Sequence, residues 1–183
     1  MLLLSRKKIH IGLCCGKCWL KVGDFQIERV TEIDNGVDIA SLQNFFVQAL
    51  TSMLVEAKEK IKAGSLVQIT VSDRLAMIAT LRWQDTAMSR GELENFSIFW
   101  LAKCGMKIDE SHLLFADYPR YRSIGIAYAL PKVLVESVAE VLINNNLKLA
   151  RVLPVSATVF FSDQFRKVYP SSVTVCEDTH ALS

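Results

Sequence analysis

No stretch of this chain approaches the ~18–20 consecutive apolar residues that a membrane-spanning helix requires, although hydrophobic residues make up 51% of its 183 positions. The N-terminus lacks the order of a secretory signal: Met1-Leu2-Leu3-Leu4 precedes the basic residues Arg6-Lys7-Lys8, and no long apolar run follows. These absences predict a soluble chain, or the cytoplasmic part of a longer membrane protein, since residues 176–183 trail off without a capping element. A net charge of +2 and scattered Lys and Arg leave no basic stripe interleaved with aromatics, which excludes a nucleic-acid surface. Arg6-Lys7-Lys8 reads as a solvated run. Walker-type and G-x-G-x-x-G loops are missing, as is a G-x-S-x-G nucleophile elbow. Internal repeats, low-complexity tracts and linkers are absent too, so the length suits one domain, or one with a small appendage.

Cysteine is present in an odd number, five, of which Cys14, Cys15 and Cys18 crowd together. That distribution excludes a disulfide framework and points to a reducing compartment. The three lie within Lys8 to Val22, KIHIGLCCGKCWLKV, where two short apolar runs flank Gly16-Lys17. The pattern predicts a β-hairpin. It also spells a C-x-x-C, Cys15-Gly16-Lys17-Cys18, of the kind that performs redox chemistry or binds metal.

Gly23-Asp24 signals a turn, and residues 24–30 alternate as a third antiparallel strand. Residues 41–63 form the clearest helix, with Leu42, Phe45, Phe46, Ala49, Leu50, Met53, Leu54, Ala57 and Ile61 on one wide face. Asp38 or Ser41 caps its start, basic residues gather in its last turn, and Gly64 marks its stop. Leu66-Val67-Gln68-Ile69-Thr70-Val71 is an inner strand. Three meandering strands, a helix and a strand are the opening of a ribonuclease-H-like or actin-like α/β unit, with a parallel pairing after the crossover. Residues 74–83 read as a strand. Ser89 and Glu92 fit a capping box opening a helix with Leu93, Phe96, Phe99 and Trp100 on one side, ended by Cys104-Gly105. Residues 113–118 and 121–130 read as strands about a Pro119-Arg120 turn. Pro131 starts a helix with Leu134, Val135, Val138, Val141 and Leu142 inward, stopped by Asn144-Asn145-Asn146. A strand over 147–153, a helix over 155–165 and an edge strand over 172–176 complete the order.

From Leu66 onward this order resembles that of the PilM and GspL-type proteins of type IV pilus and type II secretion machines. The motifs are Leu81-Arg82-Trp83 ending a strand, the Ser89…Glu92 helix with Trp100, and the strand Ser123-Ile124-Gly125-Ile126-Ala127-Tyr128-Ala129-Leu130 before a Val-rich helix. Leu147-Lys148-Leu149-Ala150-Arg151-Val152-Leu153-Pro154 follows, with Phe160 and Phe161 after it. With the hairpin and the long helix, the resemblance covers most of residues 8–165, and the ordered set carries it rather than any single motif. It implies an actin-like (ribonuclease-H-like) mixed sheet with flanking helices, and a cytoplasmic role at the bacterial inner membrane. It also implies two partners, the assembly ATPase and the inner-membrane platform protein. The chain is too short for two full halves of such a fold. It divides as residues 1–74 and 131–183 of one core, with 75–130 an inserted small α+β subdomain. Actin-like ATPases place an Asp-x-Gly in the first hairpin. Here the equivalent is His10-Ile11-Gly12: the glycine is kept, but a neutral imidazole is a poor ligand for Mg²⁺, which prefers hard oxygens. No second phosphate loop is evident.

The remaining candidates are weighed on chemistry. A reactive C-x-x-C needs its first thiol at a helix N-terminus, yet Trp19-Leu20-Lys21-Val22 alternates like a strand, although Lys17 favours a thiolate. Zinc needs about four ligands. Cys14, Cys15 and Cys18 supply two or three, and Cys104, His112, Cys176 and His180 are scattered singly. A Ser111-His112-Asp109 triad is conceivable on paper, but a solvated loop is the plainer reading. Adjacent Asp109 and Glu110 do not make an acid/base pair. Trp83, Trp100, Phe96, Phe99, Phe160 and Phe161 read as core. Tyr118, Arg120 and Tyr121 at a turn have the composition of an interface hot spot, although a plain exposed hairpin is the favoured reading. The leading expectation is a non-enzymatic scaffold with no catalytic, cofactor or metal residue, docking the assembly ATPase to the inner-membrane platform. The alternatives are a degenerate actin-like ATP-binding module and a C-x-x-C thiol or zinc protein.

Overall fold

The computed structural model describes residues 8–30, 33, 36–85, 89–119 and 121–161. Strands β1 (Ile9–Leu13), β2 (Lys17–Val22) and β3 (Phe25–Val30) form the antiparallel meander, with Gly23 at φ +60° in the second turn. Helix α1 (Ile39–Glu56) then crosses to β4 (Leu66–Val71), which pairs parallel with β1. A second sheet contains β5 (Met77–Leu81), β6 (His112–Asp117) and β7 (Gly125–Pro131), preceded by a short 3₁₀ turn Asp73–Leu75 and interleaved with α2 (Arg90–Lys103). The chain returns through α3 (Lys132–Asn144) and β8 (Lys148–Pro154) to α4 (Val155–Phe161). The sheets order as β3-β2-β1-β4-β8, with β8 parallel to β4, and β5-β7-β6, antiparallel throughout.

Local chemistry accounts for most element ends. Asp38 caps α1, its carboxylate accepting from Ser41 N at 2.9 Å and from Ser41 Oγ at 2.6 Å. Ser89 and Glu92 form the predicted capping box on α2, with Ser89 N donating to Glu92 Oε2 at 2.7 Å. Cys104 and Gly105, at φ +78°, end that helix. Leu134, Val138 and Leu142 are the buried line of α3, and Asn146, at φ +57°, follows its end.

The large core lies between α1 and α3 and one face of the five-stranded sheet. Ile9, Ile11, Leu20, Val67 and Ile69 of the sheet join Leu42, Phe46, Leu50 and Met53 of α1 and Val138 of α3 in one buried cluster. Strand β7 is buried on both sides: Ile126, Tyr128 and Leu130 join the large core, and Ala127 joins a smaller one with Ala79, Leu81 and Leu101. Such two-sided burial explains why β7 reads as a continuous apolar run rather than an alternation.

Several sequence expectations are corrected. Helix α1 starts at Ile39 and stops at Glu56, not at 63, and its last turn holds no basic residue. Lys58, Lys60 and Lys62 lie beyond it, in turns closed by bonds such as Lys60 N to Ala57 O at 2.9 Å. Arg74 and Leu75 belong to the 3₁₀ turn rather than a strand, because Ser72 Oγ accepts from Arg74 N and Ser72 O accepts from Leu75 N. Lys17 starts β2 instead of completing the hairpin turn, and Pro131 ends β7 one residue before α3. On α2 the buried residues are Ser97 and Leu101, and Phe99 faces out. Strand β7 begins at Gly125 rather than 121. The expected edge strand over 172–176 and the end of the 155–165 helix lie outside the described residues.

Candidate functional site

In a parallel arrangement, ligands collect beyond the carboxyl ends of the strands. Here those ends are the hairpin after β1, the segment Ser72-Asp73-Arg74 after β4, and α4 after β8. Cys14 and Lys17 exchange backbone bonds (Cys14 N to Lys17 O, 3.3 Å; Lys17 N to Cys14 O, 3.2 Å), so Cys15-Gly16 form the two-residue turn. All three hairpin cysteines are buried. Cys15 Sγ lies 3.3 Å from Ser72 Oγ, and Arg74 Nη1 donates toward it at 3.8 Å. Arg74 Nη2 also donates to Val37 O at 3.1 Å. The Asp73 carboxylate accepts from Ser156 N at 3.1 and 3.3 Å and from Ser156 Oγ at 2.5 Å. The polar side chains at this edge therefore bond to one another, and they tie β4 to the start of α4.

The thiols are placed for packing. Cys18 is fully buried on β2, donates weakly to Cys14 O at 3.9 Å, and is pushed up to about 11 by burial. No helix starts at the C-x-x-C to lower a thiol's pKa. Among the described residues no three His, Cys, Asp or Glu side chains converge to hold a metal ion. Cys104 is exposed at the end of α2, His112 begins β6, and Cys176 and His180 lie outside the described residues.

His10 and Gly12 share the face of β1 opposite the buried Ile9 and Ile11. His10 is half-buried, and desolvation, then Lys8, Arg151 and Lys21, hold its pKa below the ordinary value. The Trp19 indole of β2 covers Gly12.

Ser111, His112 and Asp109 do meet, but not as a catalytic triad. Asp109 Oδ1 accepts from Ser111 N at 2.9 Å and from Ser111 Oγ at 2.5 Å, and lies 2.8 Å from His112 Nδ1. Ser111 Oγ approaches that same Nδ1, at 3.1 Å. A triad needs serine and carboxylate on opposite ring nitrogens. This is a turn whose hydrogen bonds, chiefly those from Ser111, pull the Asp109 carboxyl down to about 2. His112 itself is half-buried at the start of a strand, not in a loop.

The reading of the aromatics as core needs correction at two positions. Phe99 is 51% exposed, and Trp83 stands outside both cores in a surface cluster, its ring centroid 5.3 Å from that of Tyr118 and 5.0 Å from that of Tyr121. Tyr118 Oη donates to Arg82 O at 2.9 Å, and Arg122 sits over Tyr121. Arg120 lies outside the described residues. Phe96 and Trp100 pack on the smaller core, Phe160 and Phe161 on the larger.

Sequence reasoning missed a groove of about 610 Å³ between the two sheets. Strand β8 provides Leu149 and Leu153, α2 provides Leu93, and β6 provides Leu114 and Phe115, with Tyr128 and Phe161 at its floor and end. Arg90, Glu94, Asp117 and Arg151 edge it. Phe115 stacks on Tyr128 at 5.2 Å, and Tyr128 Oη donates to Val152 O at 3.4 Å, while burial pushes that phenol up to about 12. Both flanking strands, β8 and β6, are sheet edges. Mostly apolar walls with a few polar groups, between open strand edges, are the architecture of a site for a peptide segment.

No protein-family model matches the chain, and no curated protein matches it. Among solved structures, it is similar to the cytoplasmic domain of EpsL, an inner membrane component of the type II secretion system of Vibrio cholerae. That match has 12% identity and a TM-score of 0.51, over 81% of this chain and 57% of that one. It is also similar to the PilM-PilN type IV pilus biogenesis complex, at 13% identity and a TM-score of 0.57, over 85% of this chain and 49% of that one. A Bacteroides thetaiotaomicron protein with an actin-like ATPase fold and unknown function aligns at 10% identity and a TM-score of 0.47, over 85% and 54% of the two chains. The chain thus spans about half the length of the solved chains it matches. At such identities the likeness is one of fold. The mixed five-stranded sheet with its flanking helices is that of the expected α/β fold class.

Proposed function

We propose that this chain is a non-enzymatic assembly scaffold of a type IV pilus or type II secretion machine, and that the groove between β8 and β6 is where it receives a partner. The groove carries the reading: its apolar walls lie between two sheet edges, so a short segment finds both burial and backbone partners there. The fold shared with the EpsL cytoplasmic domain and with the PilM-PilN complex supports an inner-membrane protein as that partner. On this reading the chain works at the cytoplasmic face of the inner membrane and links its partner to the assembly ATPase. No helix among the described residues is long and apolar enough to cross a membrane.

The test is a binding titration against the cytoplasmic segment of the cognate inner-membrane partner and against the assembly ATPase of the same organism. Phe115→Glu, which places a charge at the groove wall, should reduce binding of the membrane partner at least tenfold, about 1.4 kcal/mol. Binding to neither protein, or full binding by the Phe115 variant, overturns the proposal.

A further inference from the structure

The register of the five-stranded sheet assembles a basic row that is invisible in the sequence. His10 on β1 faces Lys21 on β2 and Gln68 on β4, Lys21 faces Gln26 on β3, and Gln68 faces Arg151 on β8. Residues paired across strands project from the same face. The neighbouring row on the opposite face, Val22, Ile9 and Val67, is buried in the large core, so the polar row points away from α1 and α3. Lys8 stands next to the row, and its charge reaches His10. Lys8, Lys21 and Arg151 are exposed, whereas His10 and Gln68 are half-buried between them. Among the described residues no carboxylate pairs with Lys8, Lys21 or Arg151. Arg151 Nε donates instead to Gln68 Oε1 at 2.9 Å, which orients the guanidinium. Glu28, in the next row, is taken by Lys17 at 2.5 Å.

We propose that this sheet face binds an acidic polypeptide segment along the row Lys21, His10, Gln68 and Arg151, with Lys8 beside it. Three strand spacings separate Lys21 from Arg151, about 14 Å. That is too wide for one phosphate to reach both ends. It suits two or three carboxylates on one side of an extended or helical segment. The relief of the face favours a segment over an anionic membrane. The row has a recessed middle rather than a plane of protruding cations, and Asp24 is exposed beside it in the β2–β3 turn, where it would repel a broad anionic surface. Arg151 ends the row at the rim of the groove, while Lys8 and Lys21 lie away from it, so the two sites are testable apart.

The probe is a fluorescein-labelled polyglutamate peptide of about ten residues, long enough to cross the row when extended, followed by anisotropy at low and at physiological ionic strength. The wild-type chain should bind it, more weakly as salt rises. Lys8→Glu/Lys21→Glu should weaken binding at least tenfold, and Lys21→Ala about threefold without introducing a reversed charge. Lys58→Glu/Lys62→Glu, with the same change in net charge beyond the end of α1, should bind like wild type. Circular dichroism checks that each variant is folded. The proposal is overturned by no binding at low salt, by unchanged affinity in both Lys21 variants, or by an equal loss in the Lys58/Lys62 control. Binding to phosphatidylcholine vesicles containing phosphatidylglycerol, but not to the peptide, overturns it in favour of a membrane surface.

Discussion

The indole of Trp19 lies directly on Gly12: a Cβ added to Gly12 would stand 2.1 Å from Trp19 Nε1 and 2.4 Å from Cε2. The two residues are cross-strand partners in the first hairpin. Gly12 is thus required by a close approach from within the sheet, and not by its backbone dihedrals, which lie outside the positive-φ region.

Gly12→Ala should therefore destabilise the chain by about 1–3 kcal/mol, the usual cost of overpacking a well-filled site. Trp19→Leu in the same background should recover part of that loss, because the clash is with the ring. Urea denaturation of the two single variants and the double variant measures the coupling directly. Independent, additive effects would mean that the indole moves aside at no cost and that Gly12 is kept for another reason.

Cys18 should react slowly as a thiol. Its burial on β2 pushes it up to about 11, so at pH 8 only about one molecule in a thousand carries the thiolate. Cys104 is exposed at the end of α2. Alkylation with iodoacetamide followed by peptide mass mapping should label Cys104 long before Cys18. Rapid labelling of Cys18 in the folded chain would restore the C-x-x-C as a reactive motif.

What the sequence revealed and what it concealed follow from the range of the interactions involved. Ser89 and Glu92 signal a capping box because both partners sit within one turn, and the meander of β1 to β3 is legible because its turns are local. The end of α1 misled because Lys58, Lys60 and Lys62 imitate the basic last turn of a helix, while the chain has already left it at Glu56. Arg74 and Leu75 look extended in sequence. They sit in the 3₁₀ turn that Ser72 closes, and Asp73 bonded to Ser156 and Arg74 to Val37 hold it in place, contacts that span 83 and 37 positions respectively. The basic row depends on strand register, including a shift between Val67 and Gln68, and the groove depends on two sheet edges facing each other. Neither arrangement leaves a local pattern.

Acidification should reach the fold through His10. Its folded-state pKa is below the ordinary 6.5, lowered by desolvation and then by Lys8, Arg151 and Lys21, while Gln26 and Gln68 complete its row as neutral groups. The unfolded chain therefore takes up a proton first as pH falls. The contribution of His10 to stability is present above pH 6.5 and is lost as pH falls from there through its folded value. Chemical denaturation at a series of pH values should show this slope, and His10→Gln should flatten it. A slope that survives the substitution assigns it to another group.

Removing the Asp73 carboxylate should loosen α4 from the sheet. Asp73→Ala deletes the acceptor for Ser156 N and Oγ, and the loss of such charge-assisted bonds is worth about 1–3 kcal/mol. Ser156→Ala should cost less, because the backbone bond remains. Amide exchange at Ser156 and along α4 locates the effect. Unchanged protection in the Asp73 variant would show that packing alone holds the helix.

Mg-ATP should leave the melting temperature of this chain unchanged. At the hairpin, the resemblance to actin-like ATPases places a metal-binding carboxylate where His10 stands, and His10 is held toward its neutral form. At the carboxyl edge of the sheet, Asp73 already accepts three bonds from Ser156. Mg²⁺ prefers hard oxygen ligands with little tolerance in geometry, and neither position offers one ready for it. A nucleotide at a hundred times its dissociation constant would add about 2.7 kcal/mol. For a chain of this length that corresponds to a rise of roughly 5–10 °C. A scanning-fluorimetry shift of that size, present with magnesium and lost with chelator, would establish a metal-dependent nucleotide site and displace the non-enzymatic scaffold in favour of an ATP-binding module.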